Sequence, residues 1–397
     1  MSIADVTARV PMPGRSLQDL DRSVSTSAAA ASTVAGYRDL RLDLFRGLAL
    51  ITIFVDHTYQ LRLAQYTIKR FMFFDASEMF VFIAGYTAAL VYGRCLLQLG
   101  AAAATARIYR RIGQIYGAQL ALFCFLYFCH AGWLLVSGAP APDFATMLLR
   151  TLMLHGPFTL MDILPAYIVL LAVLPGLLLL LRVQPVLLIG LSGALYAATL
   201  SNRWDLAATG LVSSWVNIPA WQFLFVIGLA AGHWTLQGGA RLRLPSWLPW
   251  LSLTAVGFFV LLHIGPVRSM MMTRLPFNWL WGKYDLGLIC LVNFLLVVYL
   301  VASLIRRDSR LLRWRAIASL VRCGQHSLPI FCIGAGLSAC GSLLLERIDD
   351  GLLMNVGISV VGGAVLIGAA MLLEQQVPAA LWRRGVALAH RAQRARA

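Results

Sequence analysis

Along the chain, apolar residues gather into runs of about twenty, separated by short polar stretches rich in arginine. The runs fall at 42–60, 72–93, 114–137, 162–181, 184–201, 218–236, 246–264, 284–305, 325–345 and 353–376. About twenty apolar residues suffice for one helix to cross the hydrocarbon core of a bilayer. A membrane β-barrel would instead alternate apolar and polar residues over about ten positions, and no such alternation is seen. The expected architecture is therefore all-α: a polytopic integral membrane helical bundle of about ten transmembrane helices. The fourth and fifth runs share only the turn Arg182–Pro185, so they should form an antiparallel hairpin. Segment 144–158 also has a helical pattern, but it carries Arg150 and ends in His155-Gly156-Pro157. It is expected to be a re-entrant or interfacial helix leading into the fourth span. No internal repeat is visible.

Composition strengthens this reading. Of 397 residues, 59% are hydrophobic and 13% charged, against about 25% charged in an ordinary soluble domain. Mean hydropathy is +0.76. The net charge of +16 would suggest nucleic acid in a soluble chain. No basic helix or aromatic platform of a nucleic-acid module occurs, and the cations sit in the connections between spans. That distribution is a topology signal. With the N-terminus in the cytoplasm, 24 of the 33 Lys and Arg fall on the cytoplasmic side. They include Arg94, Arg107, Arg110, Arg111, Arg182, Arg241, Arg243, the Arg306–Arg322 connection and the C-terminal arginines. Both termini are thus expected inside, which requires an even number of spans. Residues 1–36 are Ser/Ala-rich and lack the apolar core of a signal peptide, so they read as a disordered cytoplasmic tail. Arg9, Arg15 and Arg22 would suit a transit peptide, but Asp5, Asp19 and Asp21 would not. Residues 37–380 form the membrane domain and 381–397 a basic cytoplasmic tail. The seven cysteines include no CxxC, so neither a disulfide framework nor a metal site is expected.

Ionisable groups inside spans are costly and mark candidate chemistry. The first run holds Arg41, Asp43, Arg46, Asp56 and His57. Asp43 and Arg46 have ion-pair spacing on a helix. Arg46 and His57 are eleven residues apart, close to three turns, so they share a face at depths about 16 Å apart. They cannot touch, but they could mark two levels of one polar channel. A neutral His57 could act as general base or carry an acyl group; a wetted interfacial histidine is the alternative. Asp56 points about 100° away from His57 and should pair elsewhere. Asp75 and Glu78 either line a cavity or cap the second helix. Arg110 and Arg111 suit helix topology, and equally a phosphate-rich ligand such as coenzyme A. Asp162 opens the fourth span. Trp221 and Gln222 open the sixth, where Asn217 and Gln222 offer sugar-type hydrogen bonds. Lys283-Tyr284-Asp285 opens the eighth. His326 and Ser327, ahead of Pro329, open the ninth from the cytoplasmic side. His130, His233 and His263 lack polar companions and are set aside.

Five blocks together resemble the OpgC family. They are Arg38 to Ala49 ending in Asp56-His57; Asp75-Ala-Ser-Glu78 through Gly85-Tyr86-Thr87; Met161-Asp162-Ile-Leu-Pro165-Ala-Tyr167; Ala220-Trp221-Gln222-Phe223-Leu-Phe225; and Cys323-Gly-Gln-His326-Ser327-Leu-Pro329. They run in order through nearly the whole chain. The resemblance implies a bacterial inner-membrane succinyltransferase acting on osmoregulated periplasmic glucans. The Arg46-x10-His57 spacing is similar to the motif of the wider acyltransferase-3 superfamily. By that resemblance, the donor is cytoplasmic acyl-CoA (succinyl-CoA in this family) and a glucan hydroxyl is the acceptor; the charge that a phosphate-rich donor needs places its entry near Arg107, Arg110, Arg111 and the Arg306–Arg322 connection. His57 with Arg46 and Asp56 would form the catalytic group. Asp75, Glu78, Asp162, Trp221, Gln222, His326 and Ser327 would bind substrate. The N-terminal tail carries no family motif. A transporter of a small anion or glycan could use the same charges as a relay, and a non-catalytic scaffold or sensor would have no use for His57.

Overall fold

In a computed structural model of the chain, the described residues are 39–158, 160–202, 204–205, 216–238, 245–264, 278–305, 309–348 and 351–394. The predicted N-terminal tail lies outside them, as do Arg241, Arg243, Arg306, Arg307 and Arg396. Contacts divide the chain after Leu40; the unit described below is Arg41–Ala397.

The described residues are helical, without strands. A helix lies on every one of the ten predicted runs. We number them α1 (Leu40–His57), α2 (Ala76–Ala88), α3 (Arg94–Val136), α4 (Phe144–Leu152), α5 (Ile163–Val183), α6 (Pro185–Asn202) and α7 (Ile218–Leu236). Then follow α8 (Leu248–Ile264), the short α9 (Asn278–Trp281), α10 (Leu288–Leu304), α11 (Arg315–Gln325), α12 (Ser327–Arg347) and α13 (Leu352–Arg394). Among the described residues, five stretches are long and apolar enough to cross a membrane: Ala76–Val136, Ile163–Val183, Pro185–Asn202, Ser327–Glu346 and Leu352–Gln376. Two shorter apolar helices cover Leu248–His263 and Leu288–Leu304.

Three boundaries differ from the sequence expectation. The connection between the second and third runs is helical: α2 passes through a wide π turn at Ala89–Gly93 into α3. The break comes at Gly100, whose φ of 85° is a conformation that glycine adopts without steric cost. Before the ninth run, the basic connection contains α11, an extra helix that ends at His326. The last helix continues past the apolar run to Arg394. Segment 144–158 holds the short helix α4, capped by the Asp143 carboxylate, which accepts from Thr146 N at 2.7 Å.

Small residues set how closely the helices approach, as is usual where lipid removes the hydrophobic drive for association. A side chain at Gly85 of α2 would strike the Phe225 carbonyl of α7, and one at Gly228 would strike the Phe82 carbonyl. The α1–α11 crossing is equally tight: Gly47 faces the Leu320 carbonyl and Gly324 faces that of Asp43. Further along, α1 runs parallel to α12. Gly334 sits against Phe54, Thr58 Oγ1 donates to Ser338 Oγ at 3.3 Å, and Tyr59 N donates to Ser342 Oγ at 2.8 Å. Helix α1 is thus clamped along its length, with Arg46 and His57 held at its two ends.

Candidate functional site

At its Arg46 end, α1 faces α2. Arg46 Nη2 donates to Thr87 Oγ1 at 2.5 Å, and Nη1 lies 3.8 Å from Asp43 Oδ1, the pair predicted by their spacing. Asp43 is buried, so the guanidinium offsets a carboxylate removed from water. The Thr87 hydroxyl donates on to Ile83 O at 2.7 Å. His326 and Ser327 lie toward this same end. They occupy the break between α11 and α12, where His326 N donates to Arg322 O just past the Gly324–Asp43 contact. The structure therefore places His326 near the level of Arg46, three helical turns away from His57.

At the other end, His57 Nδ1 is 2.9 Å from Ile53 O. A carbonyl can only accept, so Nδ1 carries the proton and Nε2 keeps its lone pair. Nε2 has no hydrogen-bond partner among the described residues. The ring is half-buried. As expected, Asp56 turns away from it. Its Oδ1 accepts from Thr67 Oγ1 at 2.6 Å and lies 3.1 Å from Lys69 Nζ, with the Asp56 side chain only 6% exposed. Asp56 therefore does not set the His57 tautomer; the Ile53 carbonyl does.

Asp75 and Glu78 form a capping box. Asp75 Oδ1 accepts from Ser77 N at 2.7 Å, and Glu78 Oε2 accepts from Asp75 N at 2.9 Å. The capping alternative is thus realised, but Asp75 does more: its Oδ2 contacts Lys283 Nζ. Glu78 is fully buried, and its Oε1 has no partner among the described residues. Lys69, Lys283 and Asp56 all lie within electrostatic reach of the His57 ring. Lys69 and Lys283 also line a cleft of about 480 Å³, together with Arg70, Asp75, His263 and Trp281. Burial pushes the Lys283 ammonium down to about 8, with the nearby Asp56 carboxylate acting the other way. His263, set aside on sequence grounds, donates from Nε2 to Lys69 O at 3.0 Å and packs edge-on against Phe73.

The turn carrying Lys283 is pinned from two helices. Trp221 Nε1 donates to Tyr284 O at 3.0 Å, Tyr196 Oη to Leu286 O at 2.7 Å, and Asn217 Nδ2 to Asp285 Oδ1 at 2.9 Å. Trp221 is 1% exposed, and its indole N–H holds this loop. Gln222 is occupied too: Ser192 Oγ donates to its Oε1 at 2.7 Å, and its Nε2 donates to Ser192 O at 3.0 Å. Asp162 is buried at the start of α5, away from the cleft lining.

Between the two polar ends of α1 lies a small cavity of about 50 Å³, walled by Ile53, Phe80, Ala84, Tyr167, Leu170 and Trp221. Helices α3 and α12 run parallel, with Phe125 on Gly336 and Cys129 at Cys340 one turn on. Arg110 sits fifteen residues before Phe125, roughly 22 Å toward the Arg46 end at 1.5 Å per residue. There Arg110 is exposed, and Arg111 Nη1 donates to Gln114 Oε1 at 3.2 Å.

Residues 38–377 match the family described as OpgC protein. No curated protein and no solved structure matches the chain.

Proposed function

The chain belongs to the OpgC family, and on that premise we propose that it is a membrane O-acyltransferase of the acyltransferase-3 superfamily. The proposed reaction moves an acyl group, of the succinyl type, from cytoplasmic acyl-CoA to hydroxyls of a periplasmic glucan. The protein would lie in the bacterial inner membrane with ten spans and both termini cytoplasmic. The observation that carries the reading is the His57 ring. Its Nδ1–H is committed to Ile53 O, its Nε2 lone pair has no partner among the described residues, and it lies within electrostatic reach of Lys69 and Lys283, which line a cleft of about 480 Å³.

In the proposed step, Nε2 takes the proton of an acceptor hydroxyl as that oxygen attacks the thioester carbonyl. The C–S bond breaks, the C–O bond forms, and the proton passes to the departing thiolate. Such general-base help is typically worth about 10²–10⁴ in rate. The same lone pair suits transient acyl carriage; acid quench that traps an acyl-His57 adduct separates the two routes. Arg46 lies too far along α1 to reach the same atoms. Its suited role is at the donor end, with Arg110 and Arg111 contributing charge for the coenzyme A phosphates. The lining of the cavity between the two ends is mostly apolar, which suits a charge relay poorly and weighs against a transporter.

The test supplies purified, reconstituted protein with succinyl-CoA and a glucan. Free thiol and glucan ester should appear in equal amounts. Thiol release without glucan ester, or no transfer from any acyl-CoA, refutes the reading. Reporter fusions at Asp205 and Arg310 should fall on opposite sides of the membrane; the same side for both refutes the topology.

A further inference from the structure

Among the described residues, three cations line the cleft that lies within electrostatic reach of His57, and their states differ. Lys69 is 3.1 Å from Asp56 Oδ1, and Lys283 contacts Asp75 Oδ2. Arg70, on the cleft wall, has no side-chain hydrogen bond or ion pair among the described residues. Among the described residues, Asp56 and Asp75 are thus already engaged, and the Arg70 guanidinium remains. It offers five donors and no acceptor, in a planar fork that matches carboxylate and phosphate oxygens. A cleft built for an uncharged sugar would mix neutral donors and acceptors. Here Gln65 is the single neutral amide among the described lining residues, and Met72, Phe73, Phe74 and Trp281 supply apolar wall. Apolar walls lower the local dielectric and strengthen charge recognition.

The backbone of Arg70 is also tied to the segment that carries His57. Arg70 N donates to Thr67 O at 3.0 Å, and Thr67 Oγ1 donates to Asp56 Oδ1 at 2.6 Å. Asp56 adjoins His57 on α1. The short turn Ile68–Arg70 is therefore tied to the helix that carries the proposed base.

We infer that this cleft is a recognition site for an anionic group carried by a substrate, with Arg70 as the residue that selects it. Lys69 and Lys283 shape the site while remaining paired to Asp56 and Asp75. Its role in catalysis rests on the acyl-transfer reading; its capacity to bind an anion does not. The anion is a carboxylate or a phosphate. It could be the far end of the acyl chain or an acidic substituent on the acceptor.

The experiment uses the full chain in lipid nanodiscs as wild type, Arg70→Gln and Arg70→Lys. Donors are succinyl-CoA and butyryl-CoA, which share a four-carbon chain but differ in the terminal carboxylate. Acceptors are a neutral glucan and one carrying carboxylates. Arg70→Gln should lower one discrimination ratio in kcat/KM about tenfold, the low end for a charge-assisted hydrogen bond because Arg70 is exposed. Arg70→Lys should recover part of it. Loss of succinyl-over-butyryl preference assigns the anion to the acyl chain; loss of acidic-over-neutral preference assigns it to the acceptor. If wild type transfers acyl groups and neither ratio changes, the inference is overturned while the acyl-transfer reading stands. If wild type transfers nothing, that reading fails, and direct titration with succinate and inorganic phosphate decides the cleft. Binding about tenfold weaker in Arg70→Gln, and weaker with added salt, upholds the site; equal binding overturns it.

Discussion

Replacing His57 separates a chemical loss from a structural one, because the two have different sizes here. The ring makes one hydrogen bond, Nδ1 to Ile53 O at 2.9 Å, worth about 0.5–1.5 kcal/mol net. It is half-buried at the end of α1, so truncation opens space toward solvent instead of a sealed core cavity. Loss of a general base costs about 10²–10⁴ in rate, or about 2.7–5.4 kcal/mol at 1.36 kcal/mol per decade. The catalytic effect should therefore exceed the structural one by more than 1 kcal/mol. His57→Gln sharpens the comparison, since its amide can still donate to the Ile53 carbonyl but has no basic lone pair. We expect His57→Gln and His57→Ala to melt within a few degrees of wild type and to lose turnover equally, by at least about a hundredfold. The assay is acyl transfer at saturating donor and acceptor, with melting followed on the same preparations. A His57→Gln protein that keeps more than about a tenth of wild-type turnover refutes His57 as the base.

Three further outcomes follow from particular contacts. Gly324→Val places a side chain on the Asp43 carbonyl at the α1–α11 crossing; it should destabilise by at least about 1–3 kcal/mol in a thermal melt. Gly113→Ala, with nothing within 4 Å, should be neutral or slightly stabilising, and equal melting of both variants would refute the crossing. Asp56→Asn strips Lys69 and Thr67 of a charged partner and should cost about 1–3 kcal/mol. The double variant with Lys69→Met should recover part of that loss; strict additivity of the two changes would show that the pair carries no coupling. Because burial holds Lys283 at about 8, it is charged at pH 7 and largely neutral at pH 9. Succinate affinity for the cleft should therefore fall across that window in wild type, but hold steady in Lys283→Arg, which stays charged; matching profiles would refute the assignment.

The helices were legible from sequence where hydropathy alone defines them, and the misses have a common cause. A window average sees apolar runs but cancels an amphipathic helix. That hid α11, whose Arg315 and Arg322 alternate with Ile317, Leu320 and Val321. It also hid the first turns of α3 beyond Gly100, although the run Ala101–Ala104 is the strongest helix former available. The polar ends of α1 could be found because Arg46 and His57 lie on one helix, where spacing alone reports a shared face. Their partners could not. Thr87 is 41 residues from Arg46, and Lys69 is 13 from Asp56, across a turn that no periodicity predicts. His263 looked solitary because its companion is the Lys69 carbonyl, 194 residues away in sequence.

This division is physical. In lipid each spanning segment must satisfy its own backbone hydrogen bonds, so every helix has to be encoded locally. A site has no such obligation: it forms where helix ends and connecting turns meet. In this chain those pieces are the 61–75 connection, the end of α8 and the 281–287 turn. None carries a motif by itself, yet they bring Lys69, Arg70, His263 and Lys283 to one cleft. The residues that look solitary along a membrane sequence are thus where its substrate contacts should be sought. Trp221 and Gln222 make the converse point. They stand in a segment expected to contact substrate, and the bundle uses their hydrogen bonds to hold Tyr284 and Ser192. Polar side chains inside a membrane find internal partners first, and those left over at the helix ends, such as His57 Nε2 and Arg70, are the ones free to meet a substrate.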